Sequence, residues 1–425
     1  MQGIMRAWIL FGVAVTCVAL YLILQQLRPP QTLVLAAGPD QGAYARIAGQ
    51  YQHILARDGI DLTILHTAGS AENAALLSAD QVQAALLQGG IQVSAPHVET
   101  LGTLFYEPML FLTRTGVDIP ANPALWRGLR ISAGQDGSGT ASVFDDFLHA
   151  VGLTPADNTR LMLSYPDAIA ALQGGQIDLA VFIAPIDAPY LVAAYDAPDL
   201  RLVPVAYAQA IARRLSYADT VTLPAGGLLL DPVRPAQPLQ LIATEARLAV
   251  SGDLHPALIN RLSMAAIELH RARDMLSNPE QFPAPDAGTL DMNTAARQLI
   301  ANGPSIWFDW LPYWMAAQIN RVFLLLLPIV FILVPLLRGI PRLFALAMRW
   351  RVWQHYPEIR QIEEALAQSP DATALDALQS RLDRLETRLT NLRLPPAFRQ
   401  GQYDARLHIG LVQARLDAAR ANTAV

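Results

Sequence analysis

The chain has 425 residues, of which 52% are hydrophobic and only 16% are charged, and its formal net charge is −5. This balance is typical of a folded body with membrane segments, and it gives no indication of nucleic-acid binding. All 31 basic residues are arginine, which excludes a Walker A loop, a protein kinase and a lysine Schiff base. The only cysteine, Cys17, leaves no disulfide and no thiolate zinc site.

The N-terminal stretch is the first predicted element. Its apolar run, Ala7–Leu24, has about the length that crosses roughly 30 Å of hydrocarbon. The segment after it, Gln25–Pro30, lacks the small residues of a signal-peptide cleavage site. An uncleaved membrane anchor over residues 1–28 is therefore favoured over a cleaved signal peptide.

The next residues form a strand, turn and helix pattern. The apolar run Leu33–Ala37 is followed by the glycine-rich turn Gly38–Tyr44 and then by apolar residues at helical spacing. A second extended run, Asp61–His66, stops at the polar segment Thr67–Asn73. Both loops are expected at the carboxyl edge of one parallel sheet, where helix N-termini present free N–H groups. The pattern predicts a site for a small, negatively charged ligand.

The chain then repeats this plan. The long apolar run Thr103–Arg114 is expected to cross to a second lobe. There Leu129–Ala133 is a predicted strand, Gly134–Thr140 a glycine-rich loop and 144–151 a helix. Residues 200–205 are predicted to return the chain to the first lobe.

Two α/β lobes joined by crossing strands make a clamshell, a fold that closes on a small ligand by hinge motion. The predicted extracytoplasmic body covers residues 29–318, with lobe 1 over about 31–113 and 200–300 and lobe 2 over about 114–199. Around Ser138 the glycine spacing does not form a nucleophile elbow. His66 has no other histidine or cysteine at metal-ligand spacing. No catalytic residue, metal or cofactor is therefore expected.

A second apolar run, Val322–Leu337, lies near the C-terminal end of this body. Tryptophan and tyrosine flank it, and four arginines follow it, whereas Arg321 stands nearly alone before it. A transmembrane segment over residues 319–348 is predicted, and the positive-inside rule places the C-terminus in the cytoplasm. The N-terminus is then cytoplasmic too, with the body outside.

Residues 349–425 form a predicted cytoplasmic helical tail. Its apolar seam has the alternating three- and four-residue spacing of a coiled coil: Leu375, Leu378, Leu382, Leu385, Leu389 and Leu392. After two prolines, a second amphipathic helix is predicted on Tyr403, Leu407, Leu411 and Leu416. An antiparallel helical hairpin is favoured over a dimeric coiled coil, since three heptads alone are marginal. The tail is expected to be a structural or coupling module, which self-associates or docks on a cytoplasmic partner.

Four motifs occur in a characteristic order along the body. They are Gly38-x-x-x-Gly42-x-Tyr44, Thr67-Ala68-Gly69-Ser70-x-Glu72-Asn73, Tyr106-Glu107-Pro108 and Gly137-Ser138-Gly139-Thr140. This order resembles the TAXI family of solute receptors for TRAP transporters. The C-terminal motifs Phe282-Pro283, Gly303-Pro304-Ser305 and Leu311-Pro312-Tyr313-Trp314, with Arg321 and Pro328, are similar to the subgroup with an extra C-terminal membrane helix.

The resemblance implies a type II periplasmic-binding-protein-like clamshell in the bacterial inner membrane, with its main domain in the periplasm. It implies a small organic anion as ligand, such as a carboxylate or acidic amino acid, and a TRAP-type permease as partner, driven by an ion gradient. The chain departs from the family at Ala68, where glycine is common, and at Ala45, where a second aromatic is frequent. The Ala45 departure bears on the substrate. An alternative function is a membrane-anchored ligand sensor that signals through the helical tail.

By the resemblance, the solute lies between the lobes and contacts three of these loops and the crossing strand. The expected ligand-binding residues are Gly42, Tyr44, Thr67, Gly69, Ser70, Asn73, Glu107, Ser138, Gly139 and Thr140. Hydroxyl groups among them can donate hydrogen bonds to a carboxylate, and each exposed helix N-terminus favours an anion by roughly 0.3 to 1 kcal/mol.

Several of these residues have a structural alternative. The hydroxyl residues Ser70, Ser138 and Thr140 are also suited to capping their own helices. The Tyr44 ring could instead pack its helix against the sheet, and the Asn73 amide could bond the loop before it. The Glu107 carboxylate suits either a ligand amino group or a salt bridge at the hinge.

Overall fold

The computed structural model describes residues 28–423 apart from 287, 289 and 369, together with residues 14, 17, 18, 20–22 and 25. The chain divides into two compact units, one over residues 27–319 and the other over residues 1–26 and 320–425. The predicted N-terminal anchor, residues 1–28, lies for the most part outside the described residues.

The first unit contains all the described strands and the first nine described α-helices. The strands are β1 (Thr32–Gly38), β2 (Asp61–His66), β3 (Ala84–Leu87), β4 (Val98–Arg114), β5 (Arg130–Ser132), β6 (Thr159–Leu161), β7 (Leu179–Ile183), β8 (Leu200–Leu202), β9 (Asp219–Leu223), β10 (Leu229–Leu230), β11 (Val233–Arg234) and β12 (Leu239–Ser251). The α-helices are α1 (Ala43–Ala56), α2 (Ser70–Ser78), α3 (Gly139–Ala150), α4 (Tyr165–Gln173), α5 (Pro189–Asp196), α6 (Ala208–Ala212), α7 (Pro256–His270), α8 (Thr294–Asn302) and α9 (Tyr313–Ala316). Short 3-10 turns cover Pro123–Leu125, Pro155–Asp157 and Ile306–Asp309.

The first lobe is built on a mixed sheet in the order β2-β1-β3-β12-β4, with β9 beside β12. Strand β1 pairs in parallel with β2 on one side and with β3 on the other. Helices α1, α7 and α8 cover one face of this sheet, and α2 covers the other. The chain goes from β1 to β2 on one side of β1 and then from β2 to β3 on its other side. A topological switch point therefore lies between β1 and β3.

The second lobe repeats this arrangement around β5. Strand β5 pairs in parallel with β6 and with β7, which gives a second switch point between β5 and β7. Helices α3 and α6 cover one face, and α4 and α5 cover the other. Both lobes are therefore α/β layers of the kind that the sequence predicts.

Strand β4 belongs to both sheets. Its first part pairs with β12 as far as Pro108, and from Met109 it pairs with β7. Proline has no N–H to donate to a ladder, so it fits the point at which the strand changes partners. The predicted crossing at residues 103–114 is confirmed, and the strand begins five residues earlier, at Val98.

The return to the first lobe differs from the sequence prediction. The strand predicted over residues 200–205 forms as β8 and pairs antiparallel with the end of β4, inside the second-lobe sheet. The second crossing is made by β12, which pairs with β4 along most of its length. Its residues are almost all buried, so it lacks the polar and apolar alternation that marks a half-exposed strand.

The second unit is helical, with α10 (Ile319–Trp353), α11 (Tyr356–Leu366), α12 (Ala372–Thr390) and α13 (Arg399–Thr423), and a 3-10 turn at Pro396–Phe398. The predicted second span, Val322–Leu337, lies in α10, where several side chains fall outside the described residues. Within the described part of the chain, no helix combines the length and the apolar content that a membrane crossing requires.

The tail helices share one apolar core. The leucine seam of α12 is buried against Ile359 and Ile362 of α11 and against Ile409, Val412 and Leu416 of α13. The seam is thus used within the chain, in a three-helix arrangement that includes the predicted hairpin.

The prediction for the buried face of α13 was wrong for three of its four residues. Leu416 is buried as predicted, but Tyr403, Leu407 and Leu411 are exposed, and Ala405, Ile409 and Val412 face the core in their place. Both sets have helical spacing, so the sequence pattern does not distinguish them.

Candidate functional site

A small cavity of about 40 Å³ lies between the carboxyl ends of β1, β3 and β7, beside the two switch points. Its lining comes from the carboxyl ends of β1, β3 and β7, from Glu107 of β4 and from the first turns of five helices, α1 to α5. The lining residues are Ala37, Gly38, Pro39, Gly42, Ala43, Tyr44, Gly69, Ser70, Gln88, Glu107, Gly139, Tyr165, Ile183, Ala184 and Tyr190. The volume holds about three water-sized molecules. This cavity is called the inner cavity below.

A larger chamber of about 310 Å³ adjoins the inner cavity and shares Pro39, Gly42 and Tyr165 with it. Its other lining residues are Asp40, Gln41, Ala68, Gln135, Ser138, Leu163, Ser164 and Pro166. The first residue of α4 and the residues before α1 and α3 thus border this outer chamber. Together the two compartments form one cleft between the lobes.

Glu107 is the ionisable centre of the inner cavity. It is only 2% exposed, and its Oε2 atom accepts a hydrogen bond of 2.8 Å from the hydroxyl of Tyr44. Burial raises the pKa of Glu107 to about 8, although the Tyr44 hydrogen bond and the charge of Arg247 act in the opposite direction. The same burial, with the nearby Glu107 charge, raises the pKa of Tyr44 well above its ordinary value. The carboxyl is therefore mostly protonated at neutral pH.

Two further tyrosines close the second-lobe side of the cavity. The rings of Tyr165 and Tyr190 stack with centroids 4.8 Å apart. The Tyr165 hydroxyl lies 3.2 Å from Oγ1 of Thr140, and no hydrogen bond to the Tyr190 hydroxyl is found among the described residues. Burial raises the pKa of both phenols, so both remain neutral across the physiological range.

The lobes are in direct contact across the cleft. A Cβ atom placed on Gly69 of the first lobe would lie 2.9 Å from Cα of Ser138 in the second. The side chain of Gln88 donates to the carbonyl of Ile183 over 3.3 Å, and Arg46 pairs with Asp187 at 2.8 Å. These contacts correspond to a closed arrangement, which explains the small inner volume.

The structure brings most of the predicted residues together. Six line the inner cavity: Gly42, Tyr44, Gly69, Ser70, Glu107 and Gly139. A seventh, Ser138, lines the outer chamber. The remaining three, Thr67, Asn73 and Thr140, line neither compartment.

Those three residues have structural partners. The Asn73 side chain is fully buried and donates to the carbonyls of Ala36 and Leu86, while Thr67 donates to the Asn73 amide oxygen. Thr140 is 1% exposed and bonds Tyr165. Asn73 therefore ties its helix to the strand ends, as the structural alternative for this residue anticipated in part.

Of the two serines that were expected to contact ligand or to cap their helices, one caps its helix and the other does not. Ser138 caps α3 by accepting from the Ala141 N–H at 3.2 Å. Ser70 does not cap α2; it accepts from the N–H of Gln88 at 3.0 Å and so links α2 to the end of β3. Among the described residues Glu107 forms no salt bridge, so the expected hinge pair is replaced by the Tyr44 hydrogen bond.

Gln88, Tyr165 and Tyr190 are lining residues that the sequence analysis did not select. Gln88 directly follows β3, the strand beside the switch point, which is a usable signal. Tyr165 opens a helix that begins Ser164-Tyr165-Pro166, with a serine cap and a proline in the first turn. Tyr190 has no local signal, because only the packing of α5 on α4 brings it to the cleft.

No group of three or more histidine, cysteine, aspartate or glutamate side chains among the described residues is placed to hold a metal ion. No histidine or cysteine occurs among the residues that line the inner cavity. The chemistry offered by the cleft is therefore hydrogen bonding, helix N-termini and one buried carboxyl.

Several solved structures of binding proteins have a similar chain path. One is the periplasmic aliphatic sulphonate binding protein SsuA from Escherichia coli, at 14% identity over 56% of this chain and 69% of that chain, with a TM-score of 0.35. Another is the alkanesulfonate-binding protein SsuA from Xanthomonas axonopodis pv. citri bound to MOPS, at 16% identity over 57% of this chain and 76% of that chain, with a TM-score of 0.37. A third is PhnD1 from Prochlorococcus marinus in complex with methylphosphonate, at 10% identity over 58% and 87% of the respective chains, with a TM-score of 0.40.

A comparison with curated proteins finds no match. A family model described as NMT1-like matches residues 35–275, and this stretch is more than half of the chain. It contains the strands β1 to β12 almost entirely and every residue that lines the two compartments of the cleft. The chain therefore belongs to the NMT1-like family.

Proposed function

We propose that this chain is an extracytoplasmic solute receptor that binds a small organic anion, such as a carboxylate or an acidic amino acid, between its two lobes. The observation that carries the proposal is the convergence of the first turns of α1, α2, α3 and α4 on one cleft at two topological switch points. Helix N-termini and strand ends at a switch point are a usual place for an anionic ligand.

Two of these helices keep their first-turn N–H groups available. The residues before α1 and α2 are Gly42 and Gly69, and neither helix has a side-chain cap. A ligand carboxylate can accept hydrogen bonds from such N–H groups, which the protein itself does not satisfy with a side chain. The absence of side chains on these glycines also allows close approach of the ligand to the backbone.

A receptor function is also consistent with the hydrogen bonds that the two serines of the cleft accept. The hydroxyls of Ser70 and Ser138 accept hydrogen bonds from backbone N–H groups, and no histidine lines the inner cavity to activate either as a nucleophile. Capture and release of a solute require no covalent step, whereas closure of two lobes around it does require the contacts seen across the cleft.

We further infer that the chain is a TAXI-type receptor and that its partner is a TRAP-type permease in the bacterial inner membrane. The motif order supports this partner. Membrane tethering through α10 is supported by its exposed apolar side chains: Phe323, Leu324, Leu327, Phe331 and Ile332 are each 56% to 72% exposed. The body would then face the periplasm, and both termini the cytoplasm.

Titration calorimetry on the purified full chain tests the receptor function. The panel contains dicarboxylates, keto acids and amino acids of two to six carbons, and the matched variant is Ser70→Ala, which removes a hydroxyl that lines the cavity. Saturable binding of one class, weakened in the variant, is expected. A folded chain that binds no member of the panel contradicts the proposed ligand class.

Recovery of a large polytopic membrane protein with the chain from detergent extracts tests the permease partner.

A ligand sensor is the second candidate, and the tail favours it. The tail has its own apolar core over residues 352–416, and its exposed Tyr403, Leu407 and Leu411 form an uncovered apolar stripe. A transport receptor has no evident need for such a unit. Replacing the three stripe residues by serine separates the two functions: loss of solute uptake with unchanged binding favours transport, and loss of a transcriptional response alone favours sensing.

A further inference from the structure

The lining of the inner cavity is unusual for the site of an anion. It contains one carboxyl group, that of Glu107, and the phenols of Tyr44, Tyr165 and Tyr190, but no arginine and no histidine among its lining residues. A ligand that offered only negative charge would place an anion against a buried acid in a cavity that no basic side chain lines. Arg247 lowers the pKa of Glu107 by its charge but is not among the lining residues. The Glu107 carboxyl therefore suits a different part of the solute from the part that meets the helix N-termini, although both line the same cavity.

The Glu107 carboxyl presents an unused oxygen to this cavity. Oε2 accepts from Tyr44, whereas Oε1 forms no hydrogen bond among the described residues. The side chain is 98% removed from solvent, being 2% exposed, and lines the cavity. The Tyr190 hydroxyl likewise has no described hydrogen-bond partner. Glu107 and Tyr190 both line this space of about 40 Å³, and each has an oxygen without a hydrogen-bond partner among the described residues.

An ammonium group matches these features. It donates up to three hydrogen bonds, it is about as large as a water molecule, and the faces of tyrosine rings attract cations. A carboxylate group in the same place would need Glu107 to donate its proton and would lie close to the electron-rich ring faces. The combination of free oxygen acceptors, ring faces and a lack of basic side chains favours the cation.

We propose that the solute carries a cationic amino group as well as its carboxylate, and that the amino group occupies the inner cavity against Glu107 Oε1 and the hydroxyl of Tyr190. This inference rests on the proposed receptor function and narrows its ligand class to zwitterions such as amino acids. The carboxylate then lies in the outer chamber or at its border, where Gly42, Ser138 and Ser164 mark the starts of three helices.

The charged and titratable groups around Glu107 give the proposal a proton signature. They are Tyr44 on α1, Tyr165 on α4, Tyr190 on α5 and Arg247 on β12. The three phenols have raised pKa values, so Glu107 is the group among them that titrates between pH 6 and 8. An ammonium group selects its ionised form, and binding at pH 7 therefore releases close to one proton.

The sign of the pH dependence follows from the same equilibrium. With the Glu107 pKa at about 8, the ionised fraction rises from about one in a hundred at pH 6 to about one half at pH 8. The affinity for an amino acid should accordingly rise about 50-fold over this range. A solute that uses protonated Glu107 as a donor would instead bind more weakly as the pH rises.

The experiment compares amino acids with acids of the same carbon skeleton that have a keto group, a hydroxyl or hydrogen in place of the amino group. Each is titrated into the full chain by calorimetry at pH 6, 7 and 8, in two buffers of different ionisation enthalpy, so that proton release is measured directly. An amino acid should bind at least tenfold more tightly than its deaminated partners, with proton release of about 0.9 per site at pH 7.

Two variants complete the test. Glu107→Gln should abolish both the preference and the proton release. Tyr190→Phe keeps the ring and removes one acceptor, so it should weaken amino-acid binding about fivefold and leave the deaminated acids unchanged. Tight binding of a deaminated acid, or proton uptake, overturns the zwitterion proposal and leaves the receptor function standing. Failure of the whole series to bind a folded chain contradicts the proposed ligand class as a whole, zwitterions and organic anions alike.

Discussion

The hydroxyl of Tyr44 donates a 2.8 Å hydrogen bond to Oε2 of Glu107, which joins the first turn of α1 to the middle of β4, the strand shared by both lobes. Both groups are buried, and each influences the ionisation of the other. The contact therefore couples the protonation of the cleft to the position of α1 in the first lobe. It also lowers the pKa of Glu107, which burial raises, and so increases the acidity of the carboxyl that lines the inner cavity.

Replacing Tyr44 by phenylalanine should raise the pKa of Glu107 above about 8, because the hydrogen bond from Tyr44 lowers it. The carboxyl-carbon chemical shift of labelled glutamate, followed by NMR across pH 5 to 10, measures this change. Tyr51→Phe is the matched control, since Tyr51 lies on the same helix and its buried hydroxyl has no hydrogen-bond partner in the part of the chain that the structure describes. An unchanged Glu107 titration in Tyr44→Phe would contradict the assignment.

The stability of the ligand-free chain should depend on Glu107. Its folded pKa of about 8 lies above the unfolded value of roughly 4.5, so the folded state binds more protons between these limits. The free energy of unfolding should therefore fall as the pH rises from 5 to 8. Urea denaturation at each pH should show a smaller fall in Glu107→Gln. Parallel pH profiles of the two proteins would mean that Glu107 is ionised throughout.

Gly139→Ala should weaken solute binding by at least tenfold. A Cβ atom there would lie 3.1 Å from Cβ of Ser70 and would collide with the side chain of Gln88, both on the opposite lobe. Closure is thereby obstructed while the helix itself gains a better helix former. Calorimetry and small-angle scattering should show weak binding and a more open unit. Gly49→Ala, a helix glycine with open space around it, is the control and should leave affinity unchanged.

The pair Arg46–Asp187 should make a small, salt-dependent contribution to closure. It spans the lobes at 2.8 Å, but its side chains are 37% and 63% exposed. Exposed pairs are worth at most about 1 kcal/mol, so Asp187→Asn should weaken binding up to about fivefold at low salt and less at high salt. The pair Arg57–Glu268 joins two helices of the first lobe and provides the control: Glu268→Gln should not change the affinity.

Leucine-to-alanine substitutions in the tail should destabilise it according to how deeply each leucine is buried. Leu382 is 1% exposed within the tail core, and Leu382→Ala should destabilise this unit by about 2 to 5 kcal/mol. Leu407 is 70% exposed, and Leu407→Ala should change stability by less than about 0.5 kcal/mol. Hydrogen exchange of the α12 amides in the full chain measures both. Equal losses of stability in the two variants would indicate that Leu407 is buried, as the sequence pattern predicted.

Local patterns predicted the first-lobe loops well because glycine and apolar spacing are properties of short segments. The strand over Asp61–His66 and the glycine-rich turn before Tyr44 occur where expected. What the sequence could not supply was long-range pairing. Strand β12 is buried on both faces and has no alternation to mark it, and Tyr190 reaches the cleft only because α5 packs beside α4.

The same limit decided which site residues could be predicted, because a side chain's direction depends on neighbours that are distant in the sequence. Glycines at helix starts are visible in the sequence and line the cavity, as Gly42, Gly69 and Gly139 do. The direction of a polar side chain is decided by its neighbours, and Asn73 turned inward to satisfy two strand carbonyls. On α13 two apolar sets with the same period competed, and the packing against α12 selected the one that includes Ile409.

Pro108 stands where β4 exchanges β12 for β7, and it contributes no N–H to either ladder. The two crossing strands pair as a ribbon from Val98 to Pro108, with register shifts between Ala246 and Ala249, and such a ribbon resists bending where its ladder is intact. A missing rung makes one position torsionally compliant. Rotation of one lobe against the other should therefore change the backbone torsion angles mainly near Pro108. The lobes can then reopen without breaking backbone hydrogen bonds.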